Sequence, residues 1–503
     1  MRPPQDKLRC ICATTSKTGQ AVISSPADVD SITRDCSRDA LHNSLVKICP
    51  ADTWTGNCHL SSCPFPILVN SLHQRQLLEL NEALVKAITD IVSRWWSDKA
   101  ARLSERMPLQ PREEKLLRWL DSQETGDIRP FKECMGSWRP DFLVEEPVDL
   151  TNGCVENFRI CEINARFSWN GYMLSALGQK ALLDMGICRS EIMGGTNPRK
   201  ILNGLQRLYD PQSPVYLLKG KEHGYDIHLY AHYASQHLGQ RIRFIAPEEL
   251  KLIPCHQSRG GYKLYCLVDP HSPANESNAT LLHTEAGEIL EEINQVGLEL
   301  HQDEILALSD EMLQQVSLRC FNDMRTVLLV HDKRMLGIVL EELDSLVVRK
   351  ILLPSEASLL DRGICHTILP GSTLMARLLE ECRLQPSLKD EYILKPVRGG
   401  KGEGILFGDD MTFESWMTCL EGMKSPYLSP QGSTMVIQRR IRQAKYEVFL
   451  QEKAGLQCLP IVGTYHAVHG EFLGIGVWRS SPGSVCAISH GGAWMCSVMQ
   501  RDT

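Results

Sequence analysis

Apolar residues recur along this chain with two periods, and each change of period marks an element. Leu77, Leu80, Leu84, Ile88 and Ile91 fall three or four residues apart, the stripe of one amphipathic helix. Trp95 and Trp96 follow, and helices are expected from Pro66 to about Leu120. Beyond, the runs shorten. Trp138–Val144 and Phe158–Phe167 read as neighbouring strands joined by a turn at Asp149–Gly153. Asn170-Gly171 then leads into a helix over Tyr172–Met185. Val215–Leu218, Arg241–Ile245 and Tyr262–Val268 read as strands, with a helix over Tyr225–Leu238 between the first two. Strand, helix, strand predicts a small parallel sheet of open α/β type. Lys219–Gly224 lies at the carboxyl end of its first strand, where such sheets bind ligands. Glu285–Gln315 is acidic and reads as a solvated helical face. Thr326–Val330 reads as a strand and His331–Leu340 as a helix. Met435–Ile441 and Tyr446–Leu450 read as strands. Gly463–Trp478 reads as a hairpin turning at His469–Glu471, closed by Arg479, with Ser489–Gly492 near the end.

The stretch Tyr392–Gly408, YILKPVRGGKGEGILFG, organises the rest. Tyr392-Ile393-Leu394 is apolar and of strand length, Lys395 sits at its end, and Gly399, Gly400, Lys401, Gly402 and Gly404 form a glycine-rich loop. A second apolar run, Ile405–Phe407, follows. Glycines let a backbone approach a ligand and aim N–H groups at it, and lysines add point charges for phosphate. No Gly-Lys-Ser/Thr closes the loop and a strand follows it, so the pattern is not a P-loop. A glycine-rich hairpin with solvated basic residues would look the same.

Side chains alternate along a strand, so Arg139 and Asp141 share one side, as do Glu162 and Asn164. Two carboxylates and an amide oxygen on one sheet face are hard ligands suited to Mg²⁺, which would carry phosphate oxygens as its other ligands. A solvated polar face is the competing reading, although Ile160, Cys161 and Ile163 make the strand half-buried in character.

Composition narrows the classes. The chain has 503 residues, 43% of them hydrophobic, enough for about two or three domains. A net charge of -7 argues against a nucleic-acid or acidic-membrane binder. No run reaches the roughly 18 apolar residues needed to span a bilayer. The segment MRPPQDKLRCICATTSKTGQ lacks a secretory apolar core, so a cytoplasmic location is expected. The 19 cysteines are scattered without zinc-type pairs and are expected as reduced thiols. Residues 1–65 are polar and weakly patterned, and read as a weakly ordered leader.

Together these motifs resemble the ATP-grasp ligases over roughly residues 135–495. The resemblance implies an α/β fold of two α+β lobes clamping ATP. Lys333 and Lys395 match the family's two ATP lysines, with Gly399–Gly404 as the phosphate loop. Gln438, Arg439 and Ile441 match the adenine-contacting linker, and Glu447 the ribose ligand. Arg139 and Asp141 match an Arg-x-Asp strand, and Glu162 and Asn164 a Glu-x-Asn strand. Asp141, Glu162 and Asn164 would hold Mg²⁺, with Mn²⁺ as an alternative. Arg139 would stabilise an oxyanion, and Arg479 would contact the γ-phosphate. The strands with the metal ligands precede the nucleotide loop, an order similar to circularly permuted members such as glutathionylspermidine synthases. The chain also resembles ATP-grasp enzymes of fungal secondary-metabolite clusters, including the fumisoquin type. The implied domains are helices plus metal-binding strands over 66–194, a pre-ATP-grasp-like α/β domain over 195–320, and nucleotide-binding lobes over 321–503. The implied activity joins a small carboxylate to an amine through an acylphosphate. A phosphotransferase, or an ATP-binding protein without catalysis, would use the same residues.

Overall fold

The computed structural model describes residues 7–15, 21–123, 128–147, 156–188, 191–268, 280–428, 434–450, 455–486, 488 and 491–501. The turn expected at Asp149–Gly153 and the Ser489-His490 step lie outside the described residues. The molecule is built round a six-stranded sheet. Ser137–Glu145 lies between the edge strand Asn157–Asn164 and the middle strand Val462–Val468. Both pairings are antiparallel, with Asp141 opposite Thr464 on one side and Glu162 on the other. Val462–Val468 comes more than three hundred residues after its partner. The chain's late hairpin therefore completes a sheet begun by the early strands, as the permuted order implies.

A second sheet carries the glycine-rich hairpin. Tyr392–Pro396 pairs with Leu406–Phe407 on one edge and Met435–Arg439 on the other, and Thr367–Ile368 completes the four strands. A third, parallel sheet joins Val215–Lys219 to Ile242–Ile245 and Val296–Glu299. Its crossover helix, Tyr225–Tyr233, makes the expected strand–helix–strand unit. Tyr262–Leu267 does not join it, but belongs to a neighbouring antiparallel sheet.

The helix Ser71–Ser93 buries the predicted stripe, since Leu77, Leu80, Leu84, Ile88 and Ile91 are all at 0% exposure. Asn70 caps it by accepting from the His73 N–H at 2.9 Å, which satisfies one orphan donor of the first turn.

Three expectations are corrected. The supposed leader is part of the fold: Arg9–Cys10 pairs with Ile67–Val69, and helix Ser31–Ile48 buries Leu41 and Leu45. Spaced apolar residues among polar ones hid this packing. Thr326–Val330 is a wide helical turn rather than a strand, its β-branched residues overridden by burial from every side. The acidic stretch 285–315 contains the strands Ile289–Glu292 and Val296–Glu299 before its helices Gln302–Ala307 and Asp310–Ser317.

Candidate functional site

The central sheet presents one polar patch. Arg139 lies opposite Asn164, and Asp141 opposite Glu162, so four side chains from two strands form a square. The register slips just beyond, between Asp141 and Phe142. This bulge turns Cys161, which alternation would send to the far side, toward the same cavity. Arg139 Nε donates to Asp141 Oδ1 at 2.9 Å, its Nη1 donates to Asn170, and Arg479 donates to Asp141 Oδ2. Asn164 Nδ2 lies 3.3 Å from Glu162 Oε1. Burial alone would push the Glu162 carboxyl up. Lys333, Lys395, Arg479 and Arg139 outweigh it and hold that group below the usual carboxylate range.

The lysines arrive from the second sheet and its flank. Lys333 precedes helix Arg334–Val348. Its N–H donates to the Val397 carbonyl at 2.9 Å, and its Nζ donates to Gly399 O at 2.6 Å while lying 3.3 Å from Glu162. Lys395, 6% exposed, stands on Tyr392–Pro396. Burial opposes its charge, and Cys161, Glu162 and Asp141 overcome it, holding the ammonium above its ordinary pKa. Below the loop, Asp332 accepts from Arg334 at 2.8 Å and from Arg398 at 3.1 Å, and Arg398 also donates to Glu113. These buried ions tie the loop's base to helix Pro111–Asp121.

The acids, Lys395 and the loop line one cavity of about 680 Å³, a size that accepts a small-molecule ligand, while Lys333 stands behind its wall against Gly399 and Glu162. Arg139, Asp141, Glu162, Asn164, Lys395 and Arg479 face it, as do Gly399, Gly400, Lys401 and Gly402. Gly404 packs on Pro396 instead. The segment Ser481–Cys486 roofs the loop so closely that a Cβ on Gly402, which has φ of +75°, would stand 2.0 Å from Val485 Cγ1.

The residues matched to the adenine and ribose contacts fall elsewhere. Gln438 is buried beneath the sheet, donating to the Cys161 carbonyl and the Thr367 hydroxyl, each at 3.0 Å. Arg439 turns outward to Glu391. Ile441 and Glu447 are absent from the cavity wall, and Glu447 is exposed on the strand Lys445–Val448. Further along the linker, Gln443 bridges to Glu145 and reaches the cavity beside Leu143, Ile393, Phe407 and Val462. Its buried Oε1 has no partner among the described residues. An apolar slot with one unanswered amide oxygen suits a flat heterocycle bearing an amino group.

Asp141, Glu162 and the amide oxygen of Asn164 are the donors a Mg²⁺ ion would meet. The set fits, because Mg²⁺ is held by one or two carboxylates and completed by phosphate oxygens. Among the described residues no group of three or more histidine, cysteine, aspartate and glutamate side chains could form a closed protein cage. No helix among them is long and apolar enough to cross a membrane.

Composition and spacing missed Gln443 and the carboxylates of Asp226 and Glu299, all on the wall. Glu222 was within reach, since the ligand-binding end of the first parallel strand points to it.

Residues 80–329 match the AnkG N-terminal domain family. Among solved structures, a glutathione synthetase-like effector of Globodera pallida in apo form superposes with a TM-score of 0.52 at 11% identity, covering 94% of this chain and 98% of its own. That likeness shows the fold. The ATP-grasp enzyme ankG of Aspergillus thermomutatus is 33% identical over 479 residues, 95% of this chain and 97% of its own. With the permuted two-lobe fold already traced, this full-length relationship places the chain in the ankG family of ATP-grasp enzymes.

Proposed function

We propose that the protein is an ATP-dependent carboxylate–amine ligase that forms an amide or peptide bond. The observation that carries this reading is a convergence. Asp141 and Glu162, from early in the chain, face the same cavity as Lys395 and the Gly399–Gly402 loop, more than two hundred residues later. Such a mixture of acids and cations suits a metal–triphosphate rather than a neutral ligand.

In this reading ATP lies with its base in the slot by Gln443 and its phosphates under the glycine loop. Asp141, Glu162 and Asn164 hold Mg²⁺, whose charge would offset that of the phosphates when bound. The γ-phosphoryl group passes to a carboxylate oxygen of the acid substrate, and ADP leaves. The amine nitrogen then bonds to the acyl carbon, the bond to phosphate breaks, inorganic phosphate leaves, and the nitrogen gives up a proton. Lys333, Lys395 and the loop N–H groups position the phosphates. Arg139, fixed by Asp141 and Asn170, supplies donors for the oxyanion of the tetrahedral intermediate. Closure of the loop under Ser481–Cys486 excludes water from the acylphosphate. A role in secondary metabolism rests on the resemblance to ATP-grasp enzymes of fungal secondary-metabolite clusters.

The test is incubation with ATP, Mg²⁺ and amino-acid pools, read by mass spectrometry. ADP and phosphate forming in step with a new amide supports the ligase. A stable phosphorylated product would make the enzyme a phosphotransferase. Nucleotide binding without turnover would make it a non-catalytic member of the fold.

A further inference from the structure

The cavity continues past the phosphate-binding patch to an acidic end with no task in the scheme so far. Glu299 closes the strand Val296–Glu299, and Asp226 stands in the first turn of helix Tyr225–Tyr233. Both line the cavity, at 1% and 2% exposure. Asp226 Oδ2 accepts from the Met173 N–H at 3.1 Å, while Asp226 Oδ1 and Glu299 Oε1 have no hydrogen-bond partner among the described residues. Glu222, beside them, is already engaged by Lys401 and His301. Burial pushes the Glu299 carboxyl well above its usual range, and the charges of Asp226 and Glu222 push it further.

Buried acceptors in native proteins are answered by donors. Here two buried carboxylate oxygens, on side chains from separate elements that line one cavity, have none among the described residues. What answers them must be a cation or a multiple donor. A metal ion is the weaker fit, because no group of three or more metal-ligating acids, histidines or cysteines is present among the described residues. A guanidinium favours both oxygens of one carboxylate, whereas here one oxygen of Asp226 already serves a backbone N–H. An ammonium carries three donors at tetrahedral angles and can bridge one oxygen from each of two groups. Trp169 and Tyr225 line the same end and offer aromatic surface of the kind that receives such cations.

We propose that Asp226 and Glu299 form an ammonium-binding subsite that seats a positively charged group of the amine substrate. The proposal rests on the ligase reading for its substrate and adds the class: the amine is cationic, not a neutral amide or a carrier-bound group. Arg139 and Asn170 then face the acid, and Asp226 and Glu299 the amine.

The experiment is titration calorimetry on the full chain, with Mg²⁺ and a non-hydrolysable ATP analogue. The probes are butylammonium and 1,4-diaminobutane, each against its alcohol counterpart, 1-butanol and 1,4-butanediol. The ammonium probes should bind at least about ten-fold tighter than the alcohols. Glu299→Gln and Asp226→Asn should each lower ammonium affinity by about ten-fold or more, and leave the affinity for the ATP analogue within about two-fold. Should Glu299→Gln fail to fold, Asp226→Asn alone decides. Equal affinity for alcohol and ammonium, no ammonium binding by the wild type, or unchanged binding in both variants would overturn the subsite. Failure of the ATP analogue to bind would instead remove the ligase reading, and ammonium binding measured without nucleotide keeps the two outcomes apart.

Discussion

Lys401, in the glycine-rich loop, pairs with Glu222 of the parallel-sheet unit at 3.1 Å. The contact lies on the cavity wall and joins two elements that share no sheet among the described residues. Its lysine is 44% exposed while its glutamate is almost buried, so the pair is half in water. Bridges of this kind contribute about 0–1 kcal/mol. The loop is latched weakly, which suits the reopening a phosphate lid would need.

That weakness sets the first prediction. Lys401→Met should change overall stability little. If the protein is the ligase proposed, it should raise ATP consumed per amide formed by about two- to five-fold, because a looser lid would admit water to the acylphosphate. Coupled assays of ADP and amide on the same sample give the ratio. A ratio equal to wild type would show that the latch does not guard the intermediate.

Arg139 is held by Asp141 and Asn170 on the cavity wall. If it serves the oxyanion, Arg139→Ala should depress turnover about 100- to 1,000-fold with little change in the KM for ATP. A variant with normal turnover and a raised ATP KM would reassign Arg139 to nucleotide binding. Glu162→Gln keeps the shape and removes the charge, and should shift the Mg²⁺ activation curve to higher concentration. An unmoved curve would take Glu162 out of the metal set.

Much of this site could be read from the chain. Alternation fixed which of Arg139, Asp141, Glu162 and Asn164 share a face, because the period of a strand is two. It could not supply the register that sets Asp141 against Glu162, nor the bulge that brings Cys161 round, because pairing is decided by neighbours distant in sequence. Gln443 lay past the expected adenine linker because the chain runs on beyond Arg439 before Arg442–Ala444 pairs with the end of the strand Ser137–Glu145. Glu299 was hidden by its setting. A four-residue strand inside an acidic stretch shows no periodicity, and only burial at 1% separates that carboxylate from its solvated neighbours. Helix Ser71–Ser93 was legible because its stripe is long.

Asp332 is the anchor beneath the loop. It is fully buried with Arg334 and also accepts from Arg398. Burial alone would raise its carboxyl, yet the Arg334 and Arg398 guanidiniums bring it down to about 2. Asp332→Ala leaves the buried Arg334 without an acidic partner and Arg398 with Glu113 alone, a change that costs about 3–5 kcal/mol. A large drop in thermal midpoint should follow, together with weaker nucleotide binding as the loop's base loosens. A midpoint within a degree of wild type would mean that water or another side chain takes over the pairing.

Asp226 gives the opposite sign, and that sign is a test of why it is there. Burial raises its carboxyl from 3.8 to about 6, against the backbone N–H groups of Met173 and Leu174 and the charge of Arg139. A carboxyl raised on folding lends its full stability below its unfolded pKa and loses it as pH climbs through the folded one. Near pH 7.5 the ionised Asp226 therefore weakens the fold, by at most about 3 kcal/mol at 1.36 kcal/mol per pKa step. Asp226→Asn keeps an oxygen for Met173 and carries no charge, so it should melt several degrees above wild type at pH 7.5. At pH 4.5 the folded carboxyl is largely neutral while the unfolded one is still mostly ionised, so the gap should shrink to about a third, and it should close only below pH 3.8. A saturating ammonium ligand should narrow the gap at pH 7.5 as well, by stabilising the wild type alone. A gap independent of pH, or a variant less stable at pH 7.5, would mean that Asp226 is satisfied within the fold and is not held in reserve for a cation.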